Sequence, residues 1–224
     1  MFSRRVAFHW KRHFPVQTNW KCGAGVDSLF IDMDGGVWTA SCRVGGKLGS
    51  VWDDFTVPED WINCTKNVCS CGADLFIPKT SKLEYKPLLR RGQDLPTQHE
   101  LRNDELTDFV GMERTHASNQ KQIYWEIGRR CNYDCSYCWP WIHNNTDPHK
   151  PLEDLMRATS LIETKFTKGE AVNFIISGGE PTAYKGLLDL VRHLDDGVET
   201  PYQSVHMTTN LSPGIEWWKR WSST

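Results

Sequence analysis

Three cysteines lie close together in the stretch RRCNYDCSYCWPW, which spans residues 129–141. They are Cys131, Cys135 and Cys138. Four cysteine thiolates saturate a four-iron cluster, so three thiolates leave one iron open. An open coordination position allows a bound metal to bind and activate a small molecule. The spacing therefore predicts a catalytic iron–sulfur site. A structural zinc site completed by His143 or His149 is the alternative.

An earlier group of cysteines supplies enough thiols for a second site. Its members are Cys22, Cys42, Cys64, Cys69 and Cys71. Two short β-prone runs flank Asp34-Gly35-Gly36, a pattern that predicts a hairpin. Cys22 precedes the first run and Cys42 follows the second, so the hairpin is expected to bring both thiols to one end of the ribbon. The pattern alone is compatible with an iron–sulfur cluster, a structural zinc site or reduced buried thiols.

From Lys121 onward, apolar strands alternate with helices. The predicted strands are QIYWEI, VNFIIS and SVHMTTN, and the predicted helices are PLEDLMRATSLIETKF, KGLLDLVRHL and GIEWWKRW. This alternation predicts an α/β fold with a parallel sheet of βα units. Ligands of such sheets bind beyond the carboxyl ends of the strands. The cysteine loop, the sequence GGEP and the sequence TTN all follow strands, so we expect one site at that edge.

The bulk composition is typical of a soluble globular protein. The chain has 224 residues, of which 39% are hydrophobic and 24% are charged. A net charge of −2 provides no basic surface for nucleic acid. There is no run of about 18 apolar residues and no secretory signal, which predicts a cytoplasmic protein without a membrane partner. In a reducing compartment, eight cysteines favour metal or catalytic chemistry over disulfides.

The later cysteines and the loops after the next two strands resemble those of the radical S-adenosylmethionine (radical SAM) enzymes. The motif C-x₃-C-x₂-C has an aromatic residue, Tyr137, just before its last cysteine. SGGEP resembles the family's glycine-rich motif at the methionine end of the cofactor, and TTN resembles the polar strand end that faces the ribose. The resemblance covers about residues 121–224. It implies that the three cysteines hold a 4Fe-4S cluster and that S-adenosylmethionine is bound by Tyr137, Gly178, Gly179, Glu180, Pro181, Thr208 and Asn210.

The resemblance also implies a reaction. The open iron would chelate S-adenosylmethionine, and reductive cleavage would give a 5′-deoxyadenosyl radical that takes a hydrogen atom from a substrate. A peptide, a protein or a small molecule is expected as substrate, with an external electron donor such as a flavodoxin or ferredoxin. No side chain is assigned as a general acid or base. A non-catalytic iron–sulfur electron carrier and a zinc-stabilised binding module are the alternatives from other classes.

The earlier cysteines resemble the SPASM or twitch extension of radical SAM enzymes. That extension holds an auxiliary four-iron cluster beside a cysteine-flanked hairpin, and it normally follows the catalytic core, whereas here it precedes the core. The implied ligands are Cys22, Cys42, Cys69 and Cys71, with Cys64 as a substitute. We therefore predict a cysteine-rich β-hairpin module (1–80), a polar linker (81–120) and a partial barrel of about three βα units (121–224), which is expected to be truncated.

Overall fold

The computed structural model describes residues 20–67, 69, 74, 77–80, 121–167, 172–196 and 204–223. The predicted linker (81–120) and the predicted ligand Cys71 lie outside these residues. The boundaries of the three predicted domains therefore stay a prediction. No helix in the described part of the chain is long and apolar enough to cross a membrane.

The described strands form two sheets. In chain order they are β1 (Lys21–Cys22), β2 (Ser28–Ile31), β3 (Gly36–Trp38), β4 (Lys47–Ser50), β5 (Ile62–Asn63), β6 (Lys79–Thr80), β7 (Lys121–Glu126), β8 (Val172–Ser177) and β9 (Ser204–Met207). A small antiparallel sheet has the order β5-β1-β6, and a six-stranded sheet has the order β4-β3-β2-β7-β8-β9. Strands β7, β8 and β9 pair in parallel, as their alternation with helices predicts.

The N-terminal hairpin belongs to the larger sheet. Strands β2 and β3 pair antiparallel, with Phe30 opposite Trp38. The turn between them is held by Asp32, whose carboxylate accepts a hydrogen bond of 2.8 Å from the amide of Gly36. Strand β2 also pairs in parallel with β7. The sequence predicted this hairpin in a small module that precedes the βα core, whereas the structure places it in the same sheet as that core.

Three helices accompany the sheet, namely α1 (Leu152–Ile162), α2 (Leu187–Asp196) and α3 (Ile215–Trp221). Helix α1 follows Pro151 and has Glu153 and Asp154 in its first turn, where negative side chains are favourable. One π-helical turn (Glu163–Thr167) extends it. Helices α1 and α2 contribute Leu155, Ile162, Leu190 and other apolar side chains to the main hydrophobic core. Burial of these side chains fixes the helices against the sheet.

The two faces of the larger sheet differ in how deeply their side chains are buried. On β7, Ile123 and Trp125 are fully buried in the core, whereas Tyr124 and Glu126 on the opposite face are half-buried. This alternation follows from the two-residue repeat of a strand. The parallel register sets Glu126 beside Ser177, the last residues of β7 and β8. The loops that follow these two strands therefore start at the same level, which brings the cysteine loop and GGEP together.

Candidate functional site

The cysteine loop is closed by its own backbone. The amide of Asn144 donates to the carbonyl of Arg129 at 2.9 Å, and the amide of Cys131 donates to the carbonyl of Asn144 at 2.8 Å. Residues 129–144 thus form a loop with a hydrogen-bonded neck just beyond the carboxyl end of β7. The neck fixes the position of the first cysteine relative to the sheet.

All three loop cysteines are partly exposed. The amide of Cys138 donates to the carbonyl of Cys135 at 3.0 Å, which makes a tight turn between these two residues. Tyr137 is 87% exposed, and a hydrogen bond with the Cys135 side chain raises the pKa of its phenol. The tyrosine ring is thus exposed beside the cysteines, and its contact with a cofactor stays a prediction.

The loop cysteines are not drawn onto a common point. No group of three His, Cys, Asp or Glu side chains within the described residues is placed to hold a metal ion. The two histidines of the zinc alternative have other neighbours. His143 contacts the Asp134 carboxylate at 3.1 Å, and the His149 ring lies 5.0 Å from the Tyr184 ring, tilted by 35°.

The glycine-rich loop packs directly on the neck of the cysteine loop. The amide of Gly179 donates to the carbonyl of Gly128 at 2.9 Å, and the amide of Glu180 donates to the carbonyl of Arg130 at 2.9 Å. A Cβ atom on Gly179 would lie 2.3 Å from the Arg129 carbonyl oxygen, well inside van der Waals contact. Glycine is therefore required for this close approach of two backbones.

Glu180 ties the glycine-rich loop to the loop after β9. Its side chain is only 2% exposed. The carboxylate accepts hydrogen bonds from the amide of Asn210 at 2.6 Å, the hydroxyl of Thr209 at 2.7 Å and the amide of Thr182 at 2.9 Å. This carboxylate therefore holds the two loops together, and the direct contact between Glu180 and a cofactor that the sequence indicates stays a prediction.

The remaining predicted cofactor residues lie around this network. Pro181 is buried and begins a 3₁₀ turn (Pro181–Ala183), and the amide of Thr208 donates to the carbonyl of Ile176 at 2.9 Å. The Asn210 side-chain amide donates to Asn132 of the cysteine loop at 2.9 Å. The loops after β7, β8 and β9 are thus one hydrogen-bonded unit. Sequence reasoning missed Thr209 and Asn132, although Thr209 lies inside the TTN motif.

A known protein family matches the part of the chain that forms this site. Residues 125–223, which are somewhat less than half of the 224 residues, match the family model of the Radical SAM superfamily. The parallel strands and helices of this matched segment are consistent with a partial radical SAM fold. No curated protein and no solved structure matches the chain.

The donor atoms of the matched segment suit the 4Fe-4S cluster that the matched family implies. Cys131, Cys135 and Cys138 offer three sulfur ligands, and soft thiolates are the ligands that iron–sulfur clusters require. Their partial exposure leaves room for a cluster at the rim of the sheet. The absence of side chains at Gly178 and Gly179 lets the glycine-rich loop pack directly on the backbone of the cysteine-loop neck.

The N-terminal hairpin also reaches the matched segment. The Arg129 guanidinium makes a bidentate ion pair with Asp34 at the tip of the hairpin, with N–O distances of 2.6 and 2.7 Å. This contact lowers the pKa of the Asp34 carboxyl. Because Asp34 is largely exposed, the pair adds about 1 kcal/mol or less to stability. Its main effect is to align the hairpin tip with the neck of the cysteine loop.

Near the site, the fold changes the pKa of the Glu126 carboxyl group most clearly. Burial, and then the negative charge of Asp32, raise its pKa from 4.5 to about 7. A carboxyl with a raised pKa favours folding when it is protonated. That contribution is fully present below pH 4.5 and is lost as the pH rises to about 7.

We expect Glu126→Gln to gain stability relative to the parent protein as the pH rises. At pH 8 the parent carries a half-buried charge that the amide lacks, whereas at pH 4 both side chains are neutral. Urea unfolding of both proteins at these two pH values measures the difference. An equal difference at pH 4 and pH 8 would contradict the raised pKa.

A second group of cysteines surrounds an internal cavity. Cys22, Cys42, Cys64 and Cys69 line a space of about 170 Å³, together with Asp74 and Lys79. Burial raises the pKa of the Cys22 thiol to about 11, against the lowering effect of the Lys79 charge. Burial likewise raises the pKa of Cys42 to about 12. Cys22 and Cys42 thus face one cavity.

Proposed function

We propose that the chain is a radical SAM enzyme whose cluster is held by Cys131, Cys135 and Cys138. One observation carries this proposal. The loops after three adjacent parallel strands form a single hydrogen-bonded unit inside the matched domain, and each contains one of the expected motifs. Parallel sheets bind their ligands at this edge. S-adenosylmethionine is the proposed cofactor of the unit.

Each loop of this unit has a distinct proposed role. When bound, the cluster would supply an open iron and one electron for reductive cleavage of S-adenosylmethionine to a 5′-deoxyadenosyl radical. The backbone of Gly178 and Gly179 would approach the methionine end of the cofactor. Thr208 and Asn210 would face its ribose. Tyr137 would cover the adenine and restrict the access of water.

A modified peptide or protein is the proposed product class, with a small molecule as second choice. The support is the SPASM-like cysteine pattern of the N-terminal part. A flavodoxin or ferredoxin would deliver the electron. A non-catalytic electron carrier remains the second candidate, because the buried thiols around the N-terminal cavity suit a redox cluster as well. Such a carrier would load iron and sulfide but would ignore S-adenosylmethionine.

Anaerobic reconstitution with iron and sulfide tests the proposal, followed by electron paramagnetic resonance of the reduced protein. We expect a four-iron signal that changes when S-adenosylmethionine is added, because the cofactor binds the open iron. Cys135→Ala should lose the part of the signal that responds to the cofactor. The matched control is Ser136→Ala, which alters an exposed neighbour in the same loop and should keep the response.

The outcomes separate the candidate functions. A cluster signal that is indifferent to S-adenosylmethionine would favour the electron carrier. Bound zinc without iron or sulfide would overturn both candidates. A cofactor response that survives Cys135→Ala would show that the responding cluster is not held by the cysteine loop.

We also propose that the N-terminal cysteines hold a second iron–sulfur cluster. The support is that Cys22, Cys42, Cys64 and Cys69 line one cavity. A protein with alanine at positions 131, 135 and 138 (the triple-alanine protein) should still load iron and sulfide after reconstitution. Its zinc content distinguishes the second cluster from a structural zinc site.

A further inference from the structure

The cavity between the N-terminal cysteines has room for more than one atom. Its volume of about 170 Å³ is close to the roughly 150 Å³ of an engineered cavity that holds a benzene molecule. A single zinc ion needs its sulfur ligands about 2.3 Å from one point. Among the described residues no three side chains converge in that way. The volume of the cavity and the spread of its thiols suit a group of several atoms.

A lysine ammonium is buried beside these thiols. Lys79 lines the cavity and is only 2% exposed. Its ammonium donates to the backbone carbonyls of Asp74 at 2.6 Å and Ile77 at 2.8 Å. An ammonium has three donors, so these two bonds orient the head group and leave one N–H without a partner among the described residues.

The carboxylate closest in sequence, that of Asp74, lines the same cavity but makes no direct ion pair with this lysine. Asp74 uses its two carboxylate oxygens to accept hydrogen bonds from the amides of Ser41 at 3.0 Å and Cys42 at 2.8 Å. Lys79 takes part in none of the ion pairs found among the described residues. A buried charge is costly unless an opposite charge compensates it. An anionic group bound in the cavity would add such compensation next to Lys79.

We propose that Lys79 is the countercharge of an iron–sulfur cluster in this cavity and that its ammonium raises the reduction potential of the cluster. The inference rests on the proposed second cluster. A cluster held by cysteine thiolates carries a net negative charge, and one-electron reduction by an external donor makes it more negative. A buried positive charge stabilises the reduced form more than the oxidised form. Net charge and burial are among the factors that set such potentials.

Lys79→Met in the triple-alanine protein tests this role, because the Met side chain keeps most of the length and removes the charge. We expect the midpoint potential of the remaining cluster to shift to more negative values in an anaerobic titration followed by electron paramagnetic resonance. Lys21→Met is the matched control. It removes a half-buried lysine from neighbouring β1 that does not line the cavity, and it should leave the potential unchanged. Lys79→Gln, whose amide can still donate hydrogen bonds, decides the question if the Met variant does not fold.

The outcomes distinguish this inference from the proposal on which it rests. A loaded cluster with the same midpoint potential with and without Lys79 would overturn the role of the lysine and leave the second cluster in place. Zinc without iron in the triple-alanine protein would overturn the second cluster, and the inference with it. Neither outcome depends on whether S-adenosylmethionine binds at the cysteine loop.

Discussion

Replacing Gly179 with alanine is expected to weaken the binding of S-adenosylmethionine roughly 10- to 100-fold. An added Cβ atom would lie 2.3 Å from the carbonyl oxygen of Arg129 and 2.5 Å from that of Arg130. Both atoms belong to the backbone, so no side chain can rotate away to make room. The glycine-rich loop would have to move off the neck of the cysteine loop. Such forced displacement typically costs about 1–3 kcal/mol.

Gly214→Ala is the matched control for this substitution. Gly214 precedes helix α3 in the segment that follows β9, and a Cβ atom there meets nothing within 4 Å. Isothermal titration of the reconstituted proteins with S-adenosylmethionine measures both affinities. Iron content measured on the same samples shows whether the cluster is still loaded. Equal affinities for the two variants would mean that the glycine-rich loop does not form the cofactor site.

The sequence predicts the parallel part of the fold well, for a local reason. Each strand from β7 to β9 is an apolar run, and helical segments with an apolar face separate them. Parallel strands joined by helices end at the same edge of the sheet. The meeting of the cysteine loop, GGEP and TTN follows from that rule alone. The structure confirms that these loops contact one another.

The place of the N-terminal hairpin could not be predicted in the same way. Strand β2 pairs with β7, which lies about ninety residues later in the chain. This pairing is stabilised by the apolar face that Leu29 and Ile31 share with Ile123 and Trp125. No local sequence motif predicts it. Strands β1, β5 and β6 have two residues each, which is too short for a periodic pattern.

The hydrogen bonds of the Glu180 carboxylate could not be predicted from the sequence either. A glutamate after two glycines at a strand end suits an exposed ligand site as well as a buried structural one. Its hydrogen-bond partners Thr209 and Asn210 are about thirty residues away, and only the packing of β9 beside β8 brings them within reach. A sequence motif cannot assign these hydrogen-bond partners.

Glu180→Gln is expected to lower the free energy of unfolding by about 1–3 kcal/mol and to weaken the binding of S-adenosylmethionine. The substitution keeps the shape of the side chain and removes its charge. Hydrogen bonds to a charged acceptor are stronger than those to a neutral one. The loop after β9 would lose its anchor on the glycine-rich loop, and Asn210 would lose its fixed position. Urea unfolding and titration with the cofactor measure the two effects.

The amide of glutamine cannot satisfy both backbone donors that meet Glu180. One carboxylate oxygen accepts from the amide of Thr182 and the other accepts from the amide of Asn210. In either orientation the glutamine NH₂ group points at one of these N–H groups, which leaves a buried donor unsatisfied. Glu216→Gln is the control, since among the described residues this exposed side chain pairs with Lys219 alone, and loss of that pair should cost about 0.5 kcal/mol or less. If Glu180→Gln proved as stable as Glu216→Gln and bound the cofactor as the parent does, the carboxylate would not be the link between the two loops, and their contact would depend on the packing of β8 against β9 alone.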